Sequence, residues 1–156
     1  MNYSEKIFIN LLSEYINKDN KKIDINDSID WDQILNLAVI HNVSGIIYAA
    51  LKNNDYKLPK GINDKLYKSF LTTAVVSAKR DAETDKIIKL LTDNGISHLM
   101  SKGYLIKNYY PNPELRTMGD IDILVKEEDL KKVTDIIKGN GYSISNVYYN
   151  EVGFDK

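Results

Sequence analysis

From Asn63 to Asp93 the chain carries neither proline nor glycine, and Leu66, Phe70, Leu71, Ala74, Val75, Ala78, Ala82, Ile87, Ile88 and Leu91 recur along it at helical spacing. A segment of that length and period folds as one long α-helix. Pro59 and Gly61 precede it, and Asn94-Gly95 closes it with a residue pair that ends helices through a left-handed step. Beyond Gly95 the period shortens. "ISHLM" predicts a strand, "KGYLIKNYY" a helix, "PNPELRTMG" a loop, "DIDILV" a strand, "KEEDLKKVTDIIKGN" an amphipathic helix and "YSISNVYY" a strand.

Upstream, everything points to helix. Ile7, Leu11, Leu12, Tyr15 and Ile16 mark a first amphipathic helix at about 3 to 17, and the polar stretch "NKDNKKIDINDSID" predicts a loop. Asp30 is placed to cap the next helix, whose apolar set is Trp31, Ile34, Leu35, Ala38 and Val39. After His41-Asn42, the set Val43, Ile46, Ile47, Ala50 and Leu51 predicts a second short helix. The expected fold class is α+β: a helical lobe at 1–92, then a small mixed sheet with flanking helices at 93–156.

With 156 residues the chain is long enough for one core or for two small lobes. Lys and Arg number 21 against 22 Asp and Glu, which removes the global basic field expected of a protein that coats nucleic acid. The absence of cysteine excludes disulfides and thiolate metal sites and fits a reduced compartment. The N-terminus, "MNYSEKIFIN", lacks the apolar run of a signal peptide, and no stretch approaches the ~20 apolar residues that span a bilayer. A cytoplasmic location is therefore expected.

The chemistry concentrates in "ELRTMGDIDILVKEED". On a strand, Asp120 and Asp122 share one face while Ile121 and Ile123 take the other, and their Cα atoms stand about 6.5 to 7 Å apart. Two such carboxylates repel unless a cation or proton neutralises them. Their oxygens suit Mg²⁺ or Mn²⁺, hard ions that keep part of their shell for water and substrate phosphate. Gly119, just before the pair, allows close approach of a phosphate to the backbone.

"KGYLIKNYYPNPELRTMGDIDILV" resembles the signature of the uncharacterised nucleotidyltransferase family, within the polymerase-beta-like nucleotidyltransferase superfamily. The resemblance rests on Lys102-Gly103, Tyr110-Pro111, Arg116 and Asp120-Ile121-Asp122-Ile123-Leu124-Val125. It extends more loosely through "DWDQILNLAVIHNVSGIIYAALK" and "LLTDNGISHLMSKG", about 30 to 142 in all. It implies that Asp120 and Asp122 bind the metal. It also implies that Lys102 and Gly103 form the phosphate-holding turn, Gly103 and the helix start after it offering N–H groups, and that Arg116 pairs with a phosphate.

The superfamily's third carboxylate, which in this family lies in an acidic-Leu-His pattern, has no counterpart after Tyr142; Glu151 and Asp155 are the late acids. The core is therefore expected to be truncated at its C-terminus. Two functions follow. The first is metal-dependent transfer of a nucleoside monophosphate from a nucleoside triphosphate such as ATP to an acceptor, a small molecule or protein in preference to a long nucleic acid. The rival is a non-catalytic nucleotide-sensing or protein-interaction domain of the same fold.

Other candidates read as structural. His41 ends an apolar face, and His98 stands alone in a strand. Tyr48, Tyr67 and Tyr104 are expected to pack rather than stack on bases. Lys126 to Asp129 reads as a solvated helix start with acids near the dipole, and Lys131-Lys132 and Lys21-Lys22 as surface.

Overall fold

A computed structural model describes residues 1–18, 22–148 and 151–156. The middle of the expected loop at 17–30, with Lys21, and Tyr149 at the end of the last expected strand lie outside the described residues.

The chain divides into two compact units: residues 1–79 with 106–119, and residues 80–105 with 120–156. The division expected at residue 92 followed the change of period. The contacts divide the chain earlier, at Lys79, and return the segment 106–119 to the first unit.

In the first unit, α1 (Tyr3–Asn17) opens with a capping box: the Glu5 amide donates to Asn2 Oδ1, and the Asn2 amide to Glu5 Oε2, both at 2.9 Å. Its buried face is Ile7, Phe8, Leu11 and Tyr15; Ile16 stays exposed. Asp30 caps α2 (Trp31–Ile40) through the Gln33 amide at 3.0 Å, as expected. A turn through Asn42 (φ 54°) leads into α3 (Ser44–Asn53), which buries Ile46, Ile47, Ala50 and Leu51. Gly45 fits there because a Cβ would lie 3.3 Å from Leu115 Cδ2 and 3.7 Å from Phe70 Cα.

The long helix α4 (Lys60–Asp93) forms in one piece. Its buried positions are Ile62, Leu66, Ser77, Thr84 and Leu91, whereas Leu71 and Val75 of the expected stripe are exposed. The last three buried positions repeat every seven residues. The helix therefore turns a narrower line inward than its apolar composition suggests, and small polar side chains occupy part of that line.

The segment 106–119 joins the first unit by its side chains. Leu115, in a 3-10 turn at Pro113–Leu115, is fully buried with the α1–α3 core. The Tyr15 hydroxyl donates to Asn112 Oδ1 at 2.9 Å, and the Thr117 hydroxyl to the Asn42 carbonyl at 3.0 Å.

The second unit begins inside α4. Gly95 (φ 69°) stops the helix as expected, its amide donating to the Thr92 carbonyl. Strand β1 (His98–Met100) and strand β2 (Ile123–Val125) pair antiparallel, Leu99 opposite Leu124. Between them α5 (Gly103–Ile106) is a single turn that passes into a 3-10 turn at Lys107–Tyr109. A 3-10 turn at Glu127–Asp129 leads into α6 (Leu130–Gly139), and strands β3 (Ser143–Tyr148) and β4 (Glu151–Asp155) pair antiparallel. Leu91, Ile96, Val133, Ile137 and Tyr142 form the core, with Ile123 and Val125 packed against it.

The α+β class stands as expected, but among the described residues the strands form two separate antiparallel pairs in place of one mixed sheet. The side chains of β3 are exposed along its whole length, Ile144, Val147 and Tyr148 among them. No helix among the described residues is long and apolar enough to cross a membrane.

Candidate functional site

The short strand β2 sets up the acidic pair. Ile123 and Val125 turn inward to the core, and Leu124, 58% exposed, turns outward. Alternation carried back one residue puts Asp122 on the outward face. The ladder does extend that far: the Ser101 amide donates to the Asp122 carbonyl at 3.1 Å. Asp120 and Ile121 precede the strand and adopt no regular structure, so the expected six-residue strand is three residues long. Asp120 is exposed and Asp122 half-buried.

Opposite Asp122 the chain leaves β1 through Ser101 and Lys102. Lys102 takes a left-handed backbone conformation, φ 45°, which few residues other than glycine adopt. Its ammonium lies 3.2 Å from Asp122 Oδ2. The turn thus holds Asp122 twice, by a backbone hydrogen bond from Ser101 and by an ion pair from Lys102. Sequence reasoning placed Lys102 at phosphates and missed this pair. No residue pattern marks it: the β1–β2 register, set by packing, brings position 101 opposite 122.

Gly103 starts α5, and the Leu105 amide donates back to the Lys102 carbonyl at 3.1 Å. Arg116 and Gly119 belong to the first unit, where the Arg116 guanidinium sits 5.9 Å from the centre of the Tyr110 ring. Four of the six predicted site residues, Lys102, Gly103, Asp120 and Asp122, therefore fall in the second unit.

Asp120 and Asp122 offer hard oxygen donors of the kind Mg²⁺ and Mn²⁺ take, and one of the two carboxylates already draws a cation, the Lys102 ammonium. The donor set fits such an ion in chemistry. Among the described residues no three His, Cys, Asp or Glu side chains gather as a metal site.

The remaining candidates are structural. His98 Nδ1 pairs with the Ile96 carbonyl at 2.9 Å, and His41 lies against Phe8 with ring centres 6.1 Å apart. Tyr48 packs between Tyr67 and Phe70, although Tyr67 keeps 45% of its surface exposed. The Tyr104 hydroxyl donates to Asp85 Oδ1 at 3.5 Å. A second polar cluster, not anticipated, lies in a shallow groove of about 300 Å³. There Glu83 accepts hydrogen bonds from the Tyr142 hydroxyl and, at 2.7 Å, from the Lys156 ammonium. None of the predicted site residues lines this groove.

Compared with known proteins, the chain matches a family model described as an uncharacterised nucleotidyltransferase over residues 27–154. No curated protein and no solved structure matches it.

Proposed function

The chain belongs to the uncharacterised nucleotidyltransferase family, and from that premise we propose that its second unit binds a nucleoside triphosphate through a divalent ion and transfers the nucleoside monophosphate to an acceptor hydroxyl, the α–β phosphoanhydride bond breaking to release pyrophosphate. The observation that carries this is the Lys102–Gly103 turn held on Asp122 by the Ser101 amide and the Lys102 ammonium. It draws a cationic, phosphate-competent turn and a metal-competent carboxylate together from residues 20 positions apart in the chain.

Asp120 and Asp122 hold Mg²⁺ or Mn²⁺. The ion, when bound, polarises the phosphoryl group and neutralises charge that develops during transfer. Lys102 neutralises phosphate charge, and Gly103 lets the phosphates approach the backbone. The near-zero net charge favours a small molecule or a protein over a long nucleic acid as acceptor.

A second reading, a non-catalytic nucleotide sensor, is favoured by the pair of acids that lacks a third among the described residues. Mg²⁺-dependent nucleotide binding, measured in the wild type and in a variant carrying both Asp120→Ala and Asp122→Ala, tests the shared premise. Equal binding in the two refutes both readings. Transfer of a labelled nucleotide across an acceptor screen then separates them: any covalently labelled acceptor selects the enzyme, and binding with no labelled product selects the sensor.

A further inference from the structure

Lys102 has a left-handed backbone at a position where glycine costs least, yet it carries a long cationic side chain. Its ammonium turns back onto Asp122 at 3.2 Å, and Ser101 beside it is pinned to the Asp122 carbonyl at 3.1 Å. The lysine is 75% exposed and the aspartate 41%, so water surrounds the pair and its exchange for another partner is inexpensive.

We propose that Lys102 is the resident counter-ion of the acidic pair: its ammonium occupies Asp122 while no divalent ion is bound, and moves to the triphosphate when an ion takes the carboxylate. The inference rests on the metal-binding role given above to Asp120 and Asp122, and it adds that the phosphate-binding lysine and the metal compete for one oxygen. A lysine suits this exchange because its charge is compact and its four-carbon stem is flexible, whereas an arginine fork would commit to a carboxylate through two hydrogen bonds. Without the ammonium, the Asp122 carboxylate would stand uncompensated on the outward face beside β2 in the free protein. With it, the ion must displace a cation on arrival, and the displaced cation is released beside the phosphates that the ion brings.

The test is binding of Mn²⁺ alone, followed by calorimetry or by the loss of the free-ion paramagnetic signal, in the wild type, Lys102→Gln, Lys102→Ala and Asp122→Asn. Circular dichroism of each variant checks the fold. Removing the competitor should tighten Mn²⁺ binding roughly two- to fivefold in both lysine variants, the range an exposed ion pair supplies. The same variants should bind the Mn²⁺ complex of a non-hydrolysable triphosphate roughly tenfold more weakly, the worth of one charge-assisted hydrogen bond. Unchanged or weaker Mn²⁺ binding in the lysine variants, with Asp122→Asn defective, overturns the counter-ion role alone. Unimpaired Mn²⁺ binding in Asp122→Asn, or none in the wild type, overturns the metal site itself and the counter-ion role with it.

Discussion

The ammonium of Lys102 lies 3.2 Å from Asp122 Oδ2, and the backbone that carries it turns through a left-handed conformation at φ 45°. A lysine gains nothing in stability from such a backbone, and an ion pair this exposed adds little. Lys102→Gly should therefore leave stability unchanged or raise it by up to about 1 kcal/mol, since glycine adopts this φ without a Cβ penalty. Urea denaturation checks this, and a loss above about 1 kcal/mol would show that the side chain holds the turn. Nucleotide binding, in contrast, should fall.

Glu83 predicts the acid limb of the stability curve. The hydrogen bond from the Lys156 ammonium, then that from the Tyr142 hydroxyl, hold its carboxyl down from the usual 4.5 to about 2. A carboxyl lowered by folding contributes stability that is complete above its ordinary value and is lost as pH falls toward the lowered one. Burial first, then the Glu83 carboxylate, push the Tyr142 hydroxyl up from 10 to about 12, so its contribution is complete below 10 and lost as pH rises through 12. Denaturation midpoints should fall more steeply between pH 4.5 and 2 in the wild type than in Glu83→Gln. Parallel curves would mean that the cluster does not contribute.

Gly45 and Leu115 meet inside the first unit. A Cβ at 45 would lie 3.3 Å from Leu115 Cδ2, and Leu115, 1% exposed, has no room to retreat. Gly45→Val should destabilise by about 2 kcal/mol through overpacking. Leu115→Ala, which empties the other side of the same contact, should cost about 2 to 5 kcal/mol. If both substitutions leave the thermal midpoint in place, this contact is not part of the packed core.

Ser77 is a buried hydroxyl on α4 with no hydrogen-bond partner among the described residues. Ser77→Ala removes that unmet group and improves helix propensity, so it should stabilise by about 1 kcal/mol. A drop in stability would show that the hydroxyl has found a partner, such as a water.

What the sequence determined by itself lies within a few residues of each signal. Asp30 before Trp31, Asn94-Gly95 after Asp93 and the proline-free run of α4 act through caps, left-handed steps and backbone propensity, which operate over a turn or less, and all three stand in the structure. Asp120, Asp122 and the Lys102-Gly103 step could be singled out as candidates from the sequence, because carboxylate and ammonium chemistry is written in residue identity and the flanking motif matches the family. Tertiary structure decided what depended on distant partners. Leu115 and the Tyr15–Asn112 hydrogen bond draw the segment 106–119 into the first unit. The inward faces of Ile123 and Val125 set β2 in register with β1, and that register brings Lys102 onto Asp122. Periodicity along the chain reports which face a residue turns inward; only packing decides what stands opposite it.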